Sequence, residues 1–385
     1  MLIALLLFLG ECVGHLALLV FGLNWLYGKP LPQRFLKVMR LANWSMVAAG
    51  PLGFWLAFGL DLPDAWLNTS EPVSGILGVY GLFSAFVGLV VFPLVTVRRL
   101  MRRPPAALLS NHTQIRDVAA ELGFQPIGRG KHPGLARLPG NQLFQVEFTE
   151  RTLRLEDLPA AWDGLSILHL SDLHFHGTPD RVFFDRVMDH CRNWTPDLVA
   201  VTGDIVDSSR HHRWIVPVLG RLRWQVSGFA ILGNHDSWRD PPVIRRRLRR
   251  LGFEVLDNRW VKLMVRGQPL VVIGHEGPWF APAPDLVSCP DDAFRLCLSH
   301  TPDNLPWARR NSVQLMLAGH NHGGQIRFPV AGSVYSPSIF GRHYDCGTFH
   351  EPPTLLHVSR GLSGQHPVRY NCRPEVTKLI LRRDG

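Results

Sequence analysis

The sequence predicts an α/β layered domain preceded by an N-terminal helical membrane anchor. Three observations predict it. Residues 1 to about 97 are dominated by long apolar runs. Beyond them, five short apolar runs each end in a small cluster of Asp, Asn, His and Gly. Segments of helical length lie between those runs, and strands alternating with helices read as an α/β core.

The anchor comes first. Apolar stretches at residues 1–27, 42–60 and 74–97 each approach the roughly 20 residues that a helix needs to cross hydrocarbon. The first carries Glu11 and His15, which are costly in lipid unless they face another helix or water. Its start lacks a basic region and no small-residue cleavage site follows, so it reads as a span rather than a signal peptide. Lys29, Arg34, Lys37 and Arg40 lie between the first two spans. Asp61, Asp64 and Glu71, with no Lys or Arg, lie between the second and third. Arg98, Arg99, Arg102 and Arg103 follow the third directly. Because Lys and Arg collect on the cytoplasmic side, the N-terminus is expected outside and the soluble domain in the cytoplasm, at a bacterial inner membrane.

Residues 98–140 are expected to form a juxtamembrane linker whose basic cluster lies against acidic headgroups. Within it a short helix is expected from Asn111, as N-cap, to Gly123, followed by a Gly- and Pro-rich loop at 125–139. Residues 141–385 are expected to be the soluble domain. The chain's formal charge is +10. Residues 1–103 hold eight basic and four acidic groups, so +6 of that charge falls on the rest. A basic surface suits phosphate esters, acidic headgroups or nucleic acid. No stacking-aromatic or recognition-helix pattern accompanies it, so no nucleic-acid partner is expected. The six cysteines include no C-x-x-C pair, which excludes a zinc ribbon and a thioredoxin-like site; reduced thiols are expected.

The chemistry lies in the clusters. The run at 165–170, rich enough in Ile and Leu for a buried strand, ends in Ser171-Asp172-Leu173-His174. The run at 197–202 ends in Gly203-Asp204-Ile205-Val206-Asp207, and that at 229–232 in Gly233-Asn234-His235-Asp236. The run at 294–298 ends in Ser299-His300-Thr301-Pro302. The last, 313–318, ends in Gly319-His320-Asn321-His322-Gly323-Gly324-Gln325. Helices are expected at 181–194, 212–222 and 242–251. Strand C-terminal ends in α/β folds converge on one edge, where ligands bind. Asp172, His174, Asp204, Asn234, His300, His320 and His322 offer carboxylate, amide and imidazole and no thiolate, a set suited to Mn, Fe or Zn. In D-x-H and H-x-H on extended backbone both residues point to one side, so each pair can grip one ion. A single Gly-Asp is more often a turn, and a single His more often a hydrogen-bonded core residue. The inference rests on five such clusters in order, each after an apolar strand.

The ordered set D-x-H, G-D-x-x-D, G-N-H-D, a later His and G-H-x-H resembles the signature of the calcineurin-like metallophosphoesterases, over roughly residues 155–385. The resemblance implies a β-sandwich of two mixed sheets flanked by helices, with two divalent metal ions (Mn, Fe or Zn) at the strand ends. It implies Asp172, His174 and His322 on the first ion, Asp204 bridging, and Asn234, His300 and His320 on the second. His235 would contact the phosphoryl oxygen or protonate the leaving group, oriented by Asp207, while a metal-bridging hydroxide attacks phosphorus. The longer G-H-N-H-G-G-Q, with Pro329 and residues 335–341, resembles a bacterial branch of membrane-associated phosphodiesterases in which Thr often stands at Asn321. The expected activity is hydrolysis of a phosphodiester, pyrophosphate or phosphomonoester.

The anchor favours a lipid-linked substrate, and one resemblance is to enzymes that cleave UDP-diacylglucosamine at the cytoplasmic face. A soluble-nucleotide phosphodiesterase and a membrane-tethered metal-binding scaffold are the alternatives; the intact His235 and ligand set argue against the scaffold. Ser208-Ser209 stands where serine/threonine protein phosphatases carry Arg-Gly, which argues against that activity. Outside the motifs, His176, His275 and Glu276 are candidates for the pocket lining. Arg245, Arg246, Arg247, Arg249 and Arg250 crowd one helix, either as a solvated face or facing acidic headgroups.

Overall fold

A computed structural model describes residues 2–58 and 72–383. The chain divides into two compact units, one built on the N-terminal helices up to Arg103 and one holding nearly all of the chain from Pro104 on.

In the first unit, α1 (Leu2–Tyr27) and α2 (Gln33–Phe58) are followed by α3 (Pro72–Phe86), which continues through a π-helical turn, Val87–Val91, into α4 (Phe92–Leu100). Among the described residues two helices are long and apolar enough to cross a membrane, Leu2–Tyr27 and Gly75–Leu100. α2 begins well before its apolar run. Arg34, Lys37 and Arg40 therefore lie in its first turns rather than in a loop, and only Lys29 remains in the connection. Lys and Arg are good helix formers, so the helix extends through them. Asp61, Asp64 and Glu71, and the end of the second expected span at 59–60, lie outside the described residues.

Small residues let α1 and the third helical segment approach closely. A Cβ on Gly14 would lie 1.7 Å from the Ser84 carbonyl oxygen, and one on Gly88 1.9 Å from that of Gly10. Glu11 and His15 turn inward and are buried. His15 Nε2 donates to the Met46 carbonyl (2.9 Å), so Nδ1 is left to accept from the Tyr80 hydroxyl (2.7 Å). The fold thus meets the demand for His15, whereas both Glu11 carboxyl oxygens are buried with no hydrogen-bond partner among the described residues. Gly14→Leu is expected to cost at least about 1–3 kcal/mol by overpacking, read as a lower Tm of the full chain in detergent. Gly22→Leu, where a Cβ meets nothing within 4 Å, should leave Tm unchanged.

The second unit is a sandwich of two mixed sheets. The strands are β1 (Leu108–Asp117), β2 (Gln145–Leu155), β3 (Ser166–Leu170), β4 (Leu198–Thr202), β5 (Ser227–Ile231), β6 (Phe253–Val255), β7 (Trp260–Val265) and β8 (Gln268–His275). They continue with β9 (Phe294–Ser299), β10 (Leu315–Ala318), β11 (Arg327–Phe328), β12 (Gly332–Ser333), β13 (Gly347–Glu351), β14 (Thr354–Val358) and β15 (Glu375–Arg383). The first sheet runs β1-β2-β15-β3-β4-β5-β6 and the second β13-β14-β10-β9-β8-β7; β11 and β12 form a small hairpin. β3 to β6 are mutually parallel, as are β8, β9, β10 and β14.

Alternation along each central strand feeds two cores. Ile167, Leu198, Ala200 and Phe229 point between the sheets, against Leu296, Leu298, Leu315 and Leu355. Leu168, Leu170, Val199 and Val201 point the other way. They meet Phe183 and Val187 of α5 (Arg181–Arg192), Ile215 of α6 (His212–Leu219) and Leu248 of α7 (Pro241–Arg250). Both faces of the parallel strands are thus covered, which is why they read as continuous apolar runs.

The helix expected from Asn111 is a correction. Residues 108–117 form the edge strand β1, paired antiparallel with β2. Hydroxyl pairs cross the ladder, Ser110 to Thr152 (2.9 Å) and Thr113 to Thr149 (3.1 Å). Cross-strand pairs of this kind favour the sheet, and Ser, Asn and Thr are weak helix formers. Helix forms only over Val118–Leu122, capped by Asp117, whose carboxylate accepts from the Ala120 N–H (3.0 Å).

Candidate metal centre

The five polar clusters follow the C-terminal ends of β3, β4 and β5 in one sheet and of β9 and β10 in the other. Backbone bonds stitch them together. The Asp172 N–H donates to the Gly203 carbonyl (3.1 Å), that of His174 to Asp204 (2.9 Å), and that of Gly319 to His300 (2.9 Å). The loops turn so sharply that Asp172, His174, Asp204, His320 and His322 all have positive φ, between 46° and 71°. Such conformations cost non-glycine residues of order 1 kcal/mol each and cluster at functional sites. Gly233 is needed for another reason: a Cβ there would lie 2.2 Å from Asp204 Oδ1.

The seven residues expected to bind metal converge. Asp172, His174 and His322 offer ligand atoms within 4.8 Å of one another, and so do Asp204, His300 and His320. His174 Nε2 lies 3.2 Å from His322 Nε2, and both face Asp172 Oδ1 (3.8 and 3.7 Å). Asp204 Oδ2 sits between the two sets, 3.5 Å from His174 Nε2 and 3.3 Å from His300 Nε2. Asn234 Oδ1 is 3.0 Å from His300 Nε2.

These residues fit a cation-binding role. His300 donates its Nδ1–H to the Thr202 carbonyl (2.7 Å), and His322 its own to the Ser363 carbonyl (3.1 Å). In the neutral rings that leaves both Nε2 lone pairs aimed into the site, the arrangement by which backbone acceptors orient metal-binding imidazoles. His320 Nε2 is buried with no protein partner.

Electrostatics point the same way. Burial alone would raise the Asp172 and Asp204 carboxyls, but His322 and His174 hold the first, and His300 and His235 the second, well below the usual range. Burial opposes charge on His174 and His300 as well. Asp207, Asp172 and Asp204 nevertheless hold His174 well above its ordinary value, and Asp204 lifts His300 to about 9. Burial pushes His320 and His322 down to about 3, so without a cation the protons that balance the carboxylates sit on His174 and His300. A metal must displace them, so affinity should rise about tenfold per pH unit up to pH 9 for the His300 proton alone. Calorimetric titration of Mn²⁺ from pH 6.5 to 9 checks this; a flat profile would refute it.

Asp207 stands behind the site. Its Oδ1 is 2.9 Å from His174 Nδ1 and 2.5 Å from His235 Nδ1. Burial would raise this carboxyl too, but His235 and His174 hold it well below the usual range. With Nδ1 held by Asp207, His235 is left with Nε2 as its outward group, on a side chain 17 % exposed. Asp236 ties two ligand loops, accepting from the N–H groups of Gly233 (3.0 Å), Ile205 (3.0 Å) and Val206 (2.9 Å).

Other expectations resolve differently. His176, a candidate for the pocket lining, is buried and donates through Nε2 to the Gly364 carbonyl (3.1 Å). Glu276 turns away from the site to a bidentate pair with buried Arg245 (2.9 and 2.6 Å). Arg245 is therefore not part of a solvated basic face. Asn321, between two expected ligands, donates to the Tyr344 carbonyl (2.9 Å).

Two residues were not legible beforehand. Trp279 packs on the rings of His300 (5.6 Å) and His320 (4.8 Å). Arg369, fully buried, donates to the carbonyls of His322 (3.1 Å), Arg360 (2.9 Å) and Ser363, the last being the acceptor that orients His322. Nothing in the local sequence separates it from Arg360 or Arg373. Arg369→Gln is expected to weaken metal binding about 10–100-fold, read by Mn²⁺ titration, as outer-shell changes do.

A two-sheet sandwich with a carboxylate–imidazole centre at its strand ends defines a metal-dependent phosphoester hydrolase, and residues 165–324 match the family model for calcineurin-like phosphoesterases. The chain belongs to the calcineurin-like metallophosphoesterase family. It is 30 % identical over 246 residues to an uncharacterized metallophosphoesterase of Bacillus subtilis, YkuE, covering 62 % of this chain and 86 % of that one. It is 30 % identical over 221 residues to the phosphodiesterase YaeI of Escherichia coli, covering 56 % and 81 %. A transmembrane protein with metallophosphoesterase domain from Bos taurus is 26 % identical over 333 residues, covering 80 % of this chain and 69 % of that one.

Proposed function

We propose that the centre holds two divalent cations, Mn, Fe or Zn, and hydrolyses a phosphodiester, pyrophosphate or phosphomonoester. The observation that carries this reading is the position of Asp204 between the two donor sets. Asp172, His174 and His322 would hold one ion, Asn234, His300 and His320 the other, with Asp204 shared. When bound, such a pair supplies charge to the phosphoryl oxygens and activates the attacking water.

The remaining work falls to the chain. Asp207 fixes the His235 ring, and His235 Nε2–H meets the phosphoryl or leaving-group oxygen as charge develops there. The two exposed apolar helices tether the domain to a membrane, and the basic residues from Arg98 to Arg103 support a cytoplasmic domain and a lipid-linked substrate. A C-terminal fluorescent-protein fusion that stays dark would argue against that orientation.

The test is hydrolysis of bis(4-nitrophenyl) phosphate and 4-nitrophenyl phosphate by the full chain in detergent. Diester cleavage that chelation removes and Mn²⁺ restores is the expected result. Bound metal with no turnover on either ester would move the protein to a narrow native substrate or to the scaffold reading.

A further inference from the structure

Residues 125–139, expected as a loop of the juxtamembrane linker, pack beside the metal centre. Gly128 and Gly130 press their backbone onto the loop that leaves His174 and His176. A Cβ on Gly128 would lie 2.2 Å from the Gly177 carbonyl oxygen, and one on Gly130 2.4 Å from that of His176. The Gly130 N–H donates to Thr178 Oγ1 (3.1 Å), and that of Lys131 to His176 Nδ1 (3.4 Å). On its other side His176 meets the Gly364 carbonyl, next to the Ser363 carbonyl that orients His322. The next residue of the strap, His132, packs its ring against that of His366 (5.0 Å), whose carbonyl accepts from Gln325 Nε2 (3.1 Å). The strap at 128–132 thus bridges the segments that flank His174 and His322, two expected ligands of the first donor set. We infer that it is a wall of the substrate site and that Lys131 is a specificity-determining residue, binding an anionic group of the substrate beside the phosphoryl group. The proposal rests on the phosphoesterase reading and adds what that substrate carries.

Charge selects the occupant. The strap reads Gly-Arg-Gly-Lys-His, and no Asp or Glu occurs between Glu121 and Glu147 to neutralise it. Arg129 and His132 are exposed. Lys131 is half-buried, and its ammonium makes no hydrogen bond or ion pair among the described residues. Burial holds the His176 and His211 rings below the ordinary histidine value, and the Lys131 charge adds to that at both, so the ammonium stands near both rings. His176 spends both nitrogens on backbone groups and offers the substrate nothing. Lys131 is then the donor that the strap presents. Its ammonium is a compact point charge with three N–H donors, suited to a phosphate or carboxylate oxygen. A charge drawn partly out of water without a partner is unfavourable, and an anion on the substrate relieves that cost. A neutral substituent would leave the ammonium unpaired.

The test compares two phosphonates of the same length, 3-phosphonopropionate and propylphosphonate, which differ by a terminal carboxylate. Each competes against bis(4-nitrophenyl) phosphate hydrolysis by the full chain in detergent with Mn²⁺ in excess. Each is also titrated calorimetrically into the Mn²⁺-loaded chain. 3-Phosphonopropionate is expected to bind about 10-fold more tightly, the lower end for one hydrogen bond between charged groups. Lys131→Gln should reduce that ratio to below about 3-fold without changing Mn²⁺ affinity, and Lys131→Arg, which keeps the charge, should retain most of it. Equal binding of the two phosphonates by the unmodified chain overturns the inference without recourse to any variant. A ratio that survives in Lys131→Gln takes the role from Lys131 and also overturns it. If the diester is not cleaved at all, the phosphoesterase reading fails on its own, and the calorimetric ratio still decides the strap.

Discussion

Asp204→Ala is expected, on the two-cation proposal, to leave the full chain with at most one bound ion and to reduce kcat/KM on the diester by about 10³-fold or more, the scale of losing a preorganised charge at the reacting group. The carboxylate is fully buried and stands within 3.3–3.5 Å of an imidazole from each donor set. It also accepts from the His235 N–H (2.8 Å), so it holds the backbone of the neighbouring loop. Its removal leaves His174 and His300 facing each other's set with no shared anion between them. Asp204→Asn keeps the shape and the hydrogen bond but not the charge, and should lose metal almost as fully. Elemental analysis and diester turnover read both variants. Two ions per chain with turnover near that of the unmodified protein would end the shared-ligand reading.

His235→Ala should do the opposite to metal and nearly the same to turnover. The ring touches Asp207 and points its other nitrogen outward, so its loss removes no donor from either set. Metal content should stay unchanged while kcat falls about 10²–10⁴-fold, the range for a positioned general acid. Leaving-group dependence separates its two possible duties. If His235 protonates the departing oxygen, the loss is larger for phenyl esters than for 4-nitrophenyl esters, whose leaving group needs no proton. If it neutralises a phosphoryl oxygen, the loss is equal for both. Asp207→Asn, which releases the ring from its anchor, should fall between the variant and the unmodified chain. Unchanged turnover in His235→Ala would remove the residue from the mechanism.

The parts of the fold and site visible in the sequence share one physical cause. A parallel strand covered on both faces must be apolar throughout, and a ligand at its end must be polar, so the step from Leu170 to Asp172 or from Ala318 to His320 is abrupt. β1 lacks that contrast. It is a largely exposed edge strand, in which Asn111, His112 and Gln114 are exposed, and its pairing with β2 is a long-range property. Arg369 and Trp279 were hidden because their roles come from packing across residues far apart in the chain. Glu276 misled for a related reason. The strand end that carries His275 into a cavity wall turns at the next residue toward Arg245. The charge pattern around the second helix was read correctly as a cluster but placed in a loop, because apolar length alone underestimates how far a helix runs.

The position of β15 bears on how this protein must be made. It pairs with β2 on one side and β3 on the other, at the centre of the first sheet. Until residues 375–383 have left the ribosome, β2 and β3 each present an unpaired edge, and the sheet that leads into four of the seven expected metal ligands cannot close. The catalytic half therefore cannot complete its first sheet before its last strand is made, and a chain lacking those nine residues would expose unpaired strand edges to quality-control proteases.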